Sequence, residues 1–199
     1  MSFPVSMRFF LLAVCALSTA ALGTAAAPSA QTTHGGYRID PALSTVVYAM
    51  SHPAHDWSGT SRSVTGTLAA APSGAVTRGT VSAPVASFDS GNRSRDSNMI
   101  EATEAYVHRN VIFQIARLAP LATPTAAANA VAEGTMTFHG VRQPLRVPVR
   151  LERTTGGGLR VRGTFDVTLT QFGIAPPRLL GIAARDWIEL TLDLVARPI

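Results

Sequence analysis

A zinc or iron site could be built from five side chains of suitable type, namely His52, His55, Asp56, His108 and His139. Neutral imidazole nitrogens and carboxylate oxygens are suitable ligands for both metals. Pro53 directly follows the first histidine and disfavours a helix that would place His52 and His55 on one face. We therefore predict no metal site, and a histidine-dependent metal-binding redox or hydrolytic enzyme remains an alternative interpretation.

Other kinds of catalysis lack their sequence signatures. No serine lies in a Gly-x-Ser-x-Gly nucleophile turn, and the glycine-containing segments lack the patterns of phosphate-binding and dinucleotide-binding loops. Cys15 is the only cysteine and lies in the apolar N-terminal stretch. A chain without that stretch would have no disulfide, no thiolate metal ligand and no cysteine nucleophile. We predict that the protein is not an enzyme.

A short charged segment contains Arg93, Arg95 and Asp96. An arginine guanidinium can donate two hydrogen bonds to a pyrophosphate or to a quinone oxygen. The alternative is structural, because Arg95 and Asp96 could form an ion pair at the start of a helix. Both interpretations stay open at this point.

The basic residues are scattered along the chain. There are seventeen of them, all arginine, against twelve Asp and Glu. Several alternate with apolar residues, as Arg146, Arg150, Arg160 and Arg162 do, which is typical of the solvated face of a strand. A nucleic-acid-binding protein would cluster this charge on one face. We therefore predict no nucleic-acid partner.

The first thirty residues have the pattern of a secretory signal peptide. Arg8 provides a positive start, residues 9–22 are almost continuously apolar, and residues 24–27 are the small residues that precede cleavage. The apolar run is shorter than the roughly eighteen residues of a membrane span. We predict a signal peptide at 1–30, cleaved near 26–30, a domain at 31–199, and a periplasmic or secreted location. A retained membrane anchor is the alternative.

The rest of the chain alternates apolar and polar residues with the period of a β-strand. The clearest strands are 145–151 and 159–169, joined by a glycine turn into a hairpin, and 188–194. If strand 188–194 pairs with strand 159–169, the outward carboxylates of the former lie beside the outward arginines of the latter. Weaker alternation predicts five more strands at 45–51, 62–70, 78–88, 111–118 and 130–138.

One helix is predicted at 96–106, between the third and fourth strands, because Met99, Ala102, Thr103 and Tyr106 recur three and four residues apart. The fold class is therefore all-β with about eight antiparallel strands. Such strands form either a sandwich or a closed barrel, and an eight-stranded barrel has an interior wide enough for one small ligand. Periodicity alone does not distinguish the two.

Four motifs resemble those of the YceI-like family, in the order in which that family has them. They are residues 37–41 with Ser44 and His52, residues 87–92 with Arg95 and Asp96, residues 134–141 with Pro144, and residues 172–174 with Asp186. Leu43 stands where the family often has histidine, and residues 107–110 replace its usual Tyr-Pro. The resemblance spans nearly the whole predicted domain.

The resemblance implies an eight-stranded antiparallel lipocalin-like barrel whose cavity holds a polyisoprenoid chain. The apolar inner faces of the strands would line this cavity with Val46, Tyr48, Met50, Val64, Leu68, Val81, Val85, Phe113, Ile115, Met136, Phe138, Phe165 and Leu192. A polar mouth would bind the head of the ligand through residues on the connecting loops, namely His52, His55, Trp57, Arg93, Arg95, Asp96 and His139.

The expected function is to bind and sequester or carry an apolar isoprenoid or other lipid, polyprenyl or quinone-like, in the barrel. We expect no cofactor apart from such a bound isoprenoid or quinone. Transient contact with a membrane and association into a homodimer are both compatible with this interpretation. A ligand-free barrel with a structural or interaction role is a further alternative, in which the same apolar side chains fill the interior.

Overall fold

The computed structural model describes residues 35–120, 127–179 and 181–199. The predicted signal peptide lies outside these residues. The described part of the chain forms twelve β-strands and one α-helix: β1 Gly36–Ile39, β2 Thr45–Met50, β3 Trp57–Ser61, β4 Thr65–Ala70, β5 Val76–Pro84, α1 Arg93–Ala102, β6 Asn110–Pro120, β7 Ala127–Phe138, β8 Val141–Arg153, β9 Leu159–Thr168, β10 Arg178–Leu179, β11 Ile182–Ala183 and β12 Trp187–Pro198.

The strands close into an antiparallel barrel. The ring runs β1-β4-β5-β6-β7-β8-β9-β12, and β12 pairs with β1 to complete it. β2 pairs with the same edge of β12 as β1 does, directly after it along the chain. In the next layer of the ring, β4 pairs with β1 and β3 pairs with β2. β1–β2 and β3–β4 are thus two long strands, each interrupted once, which confirms the predicted eight-stranded barrel.

A tight turn interrupts the first long strand. Pro41–Leu43 form a single 3₁₀ turn, which the Asp40 carboxylate caps by accepting from the Ala42 N–H. The buried Ser44 hydroxyl donates to the Asp40 carbonyl oxygen at 2.7 Å and accepts from the Val195 N–H at 3.0 Å. These bonds tie the interruption to β12, so the barrel wall stays continuous.

The outer face of the wall carries the alternating charges. β9 pairs with β12 so that Asp193 lies beside Arg162, and Arg160 also reaches it. Arg160 Nε donates to Asp193 Oδ1 at 2.7 Å, and Arg162 Nε lies 3.5 Å from Oδ2. The hydrogen bond from Arg160 lowers the pKa of Asp193 below its ordinary value. The expected carboxylate–arginine contacts between these two strands are therefore present.

The helix lies between β5 and β6, the third and fourth of the predicted strands, but its bounds differ from the predicted 96–106. It begins at Arg93 because the Asn92 side chain accepts from the Arg95 N–H and caps the first turn. It ends at Ala102, shortly before Glu104, whose φ is 46°. Tyr106 is exposed rather than part of an apolar helix face.

Four connections meet at the end of the barrel that α1 occupies, which we call the helix end. They are residues 51–56, 85–109, 139–140 and 169–186, and the last contains the small β10–β11 hairpin. A backbone bridge between Thr60 and Asp89 joins β3 to the segment after β5 and closes the rim. No helix in the described residues is long and apolar enough to cross a membrane.

Candidate functional site

The barrel encloses a cavity of about 500 Å³. This volume lies within the range of roughly 300–1,000 Å³ that is typical of small-molecule sites. All thirteen side chains predicted to face a ligand lie along it: Val46, Tyr48, Met50, Val64, Leu68, Val81, Val85, Phe113, Ile115, Met136, Phe138, Phe165 and Leu192. Their contact with a ligand stays a prediction, but the structure brings them all to one space.

Strand alternation creates this lining. On β12 every second side chain faces inward, and Ile188, Leu190 and Leu194 join Leu192 along the cavity while Glu189, Thr191 and Asp193 lie on the other face. The same rule places five further side chains of β8 and β9 inside the barrel, which the sequence analysis did not predict to contact a ligand, namely Leu145, Val147, Val149, Leu151 and Val161. Their alternation was visible in the sequence and would have found them.

The polarity of the lining changes along the barrel. At the end opposite the helix, the cavity is bounded by Val76, Leu118, Leu151 and Ala196, all apolar. At the helix end, polar side chains enter the lining from α1 and the rim connections, namely His55, Asn92, Ser94, Arg95, Asn98, Thr103 and Arg178. An elongated ligand with one polar end would therefore be oriented with that end towards α1.

Arg95, Trp57 and His55 form one cluster on this polar side. The Arg95 guanidinium lies 5.6 Å from the centre of the Trp57 ring, which is within cation–π range. The His55 ring centre is 5.4 Å from that of Trp57. Among the described residues, no carboxylate forms an ion pair with Arg95. Its donors are thus available to a hydrogen-bond acceptor at the mouth.

The Tyr48 hydroxyl is a second hydrogen-bond donor in the cavity lining. Its ring packs against Phe88 with centres 5.7 Å apart, and no described residue forms a hydrogen bond with its hydroxyl. Burial raises the pKa of Tyr48, the charge of Asp96 raises it further, and the charge of Arg95 opposes both. The phenol therefore stays protonated at neutral pH and can donate to an acceptor in the cavity.

His52 has a structural role instead of lining the cavity. Its ring is buried, and Nδ1 accepts from the Ala54 N–H at 3.0 Å. The proton must then be on Nε2, which donates to the Ile182 carbonyl oxygen at 3.0 Å. His52 thereby attaches the β10–β11 hairpin to the end of β2.

Three other residues of the predicted mouth also lie outside the lining. Arg93 is exposed on the helix. Asp96 accepts from both the backbone N–H and the hydroxyl of Ser90, the latter at 2.6 Å, so it holds the loop before α1 rather than pairing with Arg95. His139 lies on the β7–β8 turn. Of the seven predicted mouth residues, the structure brings His55, Trp57 and Arg95 to the cavity.

His139 belongs to a separate group on the outside of the helix end. Its Nδ1 donates to the Phe172 carbonyl oxygen at 3.0 Å, and the buried Nε2 lies 3.5 Å from Glu104 Oε2 without a hydrogen bond. The His108 ring is 5.3 Å away, edge to face. Within the part of the chain that the structure describes, no three His, Cys, Asp or Glu side chains are arranged to hold a metal ion.

Comparison with known proteins identifies this architecture. The sequence matches the YceI-like domain over residues 37–196. This chain belongs to the YceI-like family. No curated protein matches the sequence.

Several solved structures share the fold at low sequence identity. BcnA of Burkholderia cenocepacia is 18% identical, with a TM-score of 0.66 over 79% of this chain and 98% of its own. A polyisoprenoid binding domain from Saccharophagus degradans, implicated in plant cell wall breakdown, is 10% identical, with a TM-score of 0.64 over 81% and 97%. The Campylobacter jejuni YceI protein is 14% identical, with a TM-score of 0.57 over 69% and 82%. At these identities the similarity is one of fold.

Proposed function

We propose that this protein binds an isoprenoid lipid, polyprenyl or quinone-like, in the barrel cavity and sequesters or carries it. The observation that carries the proposal is the barrel cavity of about 500 Å³, which has apolar walls and a polar helix end. Family membership and the fold shared with the polyisoprenoid binding domain of Saccharophagus degradans support the choice of ligand.

The apolar walls suit the chain of such a lipid. Each methylene group withdrawn from water contributes roughly 0.8 kcal/mol, so a prenyl chain gains affinity along its whole length without a polar contact. No carboxylate lies in the lining formed by the described residues, so no buried anion opposes a hydrocarbon there. The cavity walls therefore recognise a hydrocarbon chain by shape and by exclusion of water.

The polar end suits a head group that accepts hydrogen bonds. Arg95 and Tyr48 are both donors, and Trp57 offers an aromatic face next to the Arg95 guanidinium. A quinone, a hydroxyl or a phosphate oxygen would each accept from these groups. In this proposal the protein acts by binding and needs no catalytic residue. The metal-dependent alternative has no three-ligand group in its favour among the described residues.

The location belongs to the same proposal. The pattern of the first thirty residues supports export of the chain to the periplasm or outside the cell. A carrier in such a compartment would shield an apolar chain from water between membranes. N-terminal sequencing of the mature protein from its native host tests this part, and a mature chain that still contains residues 9–22 would contradict it.

Extraction tests the binding itself. Protein purified from its native host, extracted with organic solvent and analysed by mass spectrometry, should release an isoprenoid in near-stoichiometric amount. Ala83 lies on the cavity wall, and Ala83→Phe should reduce the yield, whereas Ala116→Phe on the exposed face of β6 should not. No lipid above background in the unsubstituted protein, or equal yields from both variants, would contradict the proposal.

A further inference from the structure

Large apolar side chains are exposed mainly at the helix end. Of the described residues, seven large hydrophobic side chains are exposed, and the five at this end are Tyr106, Val107, Leu179, Ile182 and Trp187. The other two are Leu43, on the turn between β1 and β2, and Ile199 at the opposite end. Single exposed apolar residues are common, but a concentration at the mouth of a cavity is typical of a contact surface.

The β10–β11 hairpin presents two of these side chains. It is fixed to the rim by His52 Nε2 donating to the Ile182 carbonyl oxygen and by the Arg185 N–H donating to the Ser51 carbonyl oxygen at 2.9 Å. Ile182 is nevertheless 53% exposed and Leu179, which also borders the cavity, is 40% exposed. The hairpin thus holds apolar side chains outward beside the opening.

Arginines flank these apolar side chains. Arg178 on β10 and Arg185 just after the hairpin are both exposed, and Arg178 Nη1 donates to the Gly181 carbonyl oxygen at 3.1 Å. The neighbouring carboxylate of Asp186 accepts from the N–H and hydroxyl of Thr170, which directs it back to the barrel. Apolar side chains with arginines and a tryptophan beside them fit the interface of a bilayer, where cations contact phosphates and the indole ring lies at head-group level.

We propose that the helix end is a membrane-docking surface that binds the face of a bilayer containing anionic phospholipids. Leu179 and Ile182 insert among the outer acyl groups, Trp187 lies at the head groups, and Arg178 and Arg185 contact phosphates. The cavity mouth then opens onto the membrane from which an apolar cargo must come. This purpose rests on the proposed function, whereas the docking is measured without any cargo.

Co-sedimentation with vesicles tests the docking. Unliganded protein is mixed with vesicles of phosphatidylethanolamine and phosphatidylglycerol, and with vesicles of phosphatidylcholine alone. We expect binding to the anionic vesicles, with weaker binding to the neutral ones because phosphatidylcholine has no net negative charge to attract the arginines. Absence of binding to anionic vesicles, or equal binding to both kinds, would overturn the proposal.

Ile182→Ser is the decisive variant because Leu43→Ser provides a matched control. Both side chains are 53% exposed, and Leu43 lies away from the helix end. Ile182→Ser should weaken vesicle binding by about tenfold, as expected for withholding one large aliphatic side chain from the bilayer. Leu43→Ser should leave it unchanged. Equal losses in the two variants would refute the hairpin as the contact.

Fluorescence provides a readout that does not depend on affinity. Trp57 and Trp187 are the only tryptophans, so a Trp57→Phe variant reports on Trp187 alone. Phospholipids with brominated acyl chains should quench Trp187 on binding, and unquenched emission from vesicle-bound protein would overturn the proposed orientation. Isoprenoid binding in detergent-free solution, measured in parallel on Ile182→Ser, should persist, which separates failure of docking from failure of the lipid-binding function.

Discussion

Prenyl alcohols of increasing length test whether the cavity of about 500 Å³ determines what the barrel binds. A methylene group takes up about as much room as a water molecule in the liquid, roughly 30 Å³. The cavity then holds about seventeen such groups, or between three and four isoprene units. Affinity should therefore rise from the ten-carbon to the fifteen-carbon alcohol and level off near twenty carbons.

The step between successive alcohols follows from the atoms added. For ligands of this size, each buried non-hydrogen atom contributes roughly 0.3 kcal/mol of net binding free energy, so five carbons contribute about 1.5 kcal/mol. That is about a tenfold lower Kd for each unit that fits. Displacement of a fluorescent apolar probe, measured with each alcohol below its solubility limit, provides the Kd values.

Ala83→Phe should reduce the chain length at which the affinity for prenyl alcohols levels off. Ala83 is buried and borders the cavity, so the six ring carbons of the new side chain occupy space equivalent to about one isoprene unit. The plateau should then begin one unit earlier, with about a tenfold loss for the longest alcohol that fits the unsubstituted protein. The exposed Ala116→Phe should leave the series unchanged. A continued rise in affinity well beyond twenty carbons, or no effect of Ala83→Phe, would refute this reasoning.

Three substitutions test other parts of the structure. Arg95→Gln should weaken binding of a prenyl quinone by about tenfold, because a charged hydrogen bond contributes about 1.5 kcal/mol, and should barely affect a saturated hydrocarbon of equal length in the same displacement assay. Ser44→Ala should lower the free energy of unfolding by about 1–3 kcal/mol in urea titrations, because the Val195 N–H loses its buried acceptor. Asp193→Asn should cost at most about 1 kcal/mol at neutral pH, since its contact with Arg160 is partly solvated. The lowered pKa of Asp193 means that this contribution is present above the ordinary carboxyl pKa and lost as pH falls through the lowered one, so wild type and variant should converge in acid.

The strands of the barrel wall were largely predictable because the alternation of apolar and polar residues that indicates a strand is a local sequence pattern. Apolar residues occupy every second position over 145–151 of β8 and 188–194 of β12, and this period of two indicates directly which face is buried. The cavity lining follows from the same rule, since the inward face of a closed eight-stranded barrel is the cavity wall. Closure itself depends on the pairing of Ile39 with Ala196, which are far apart in sequence. Only the family resemblance predicted it.

β3 shows why part of the wall escaped prediction. Trp57–Ser61 has no apolar alternation, because only Trp57 provides a large inward side chain and the central inward position is Gly59. Its register partner is Tyr48, and a Cβ at Gly59 would lie 2.5 Å from the tyrosine ring. The aromatic side chain of one strand thus covers the glycine of the next. A strand whose core side chain is supplied by its neighbour has no pattern of its own to detect.

The head-group side of the site was less predictable than the chain side because it is built on loops and on α1. Whether His52 or His55 faces the cavity depends on the carbonyl of Ile182, which is 130 residues away in sequence from His52. α1 itself has no fully buried residue, yet it contributes the polar side chains of Ser94, Arg95 and Asn98 to the cavity. A helix that packed by an apolar face would close the mouth with hydrocarbon. This one places hydrogen-bonding groups at the mouth beside Met99 and Ala102, which is what an apolar chain with a polar head requires.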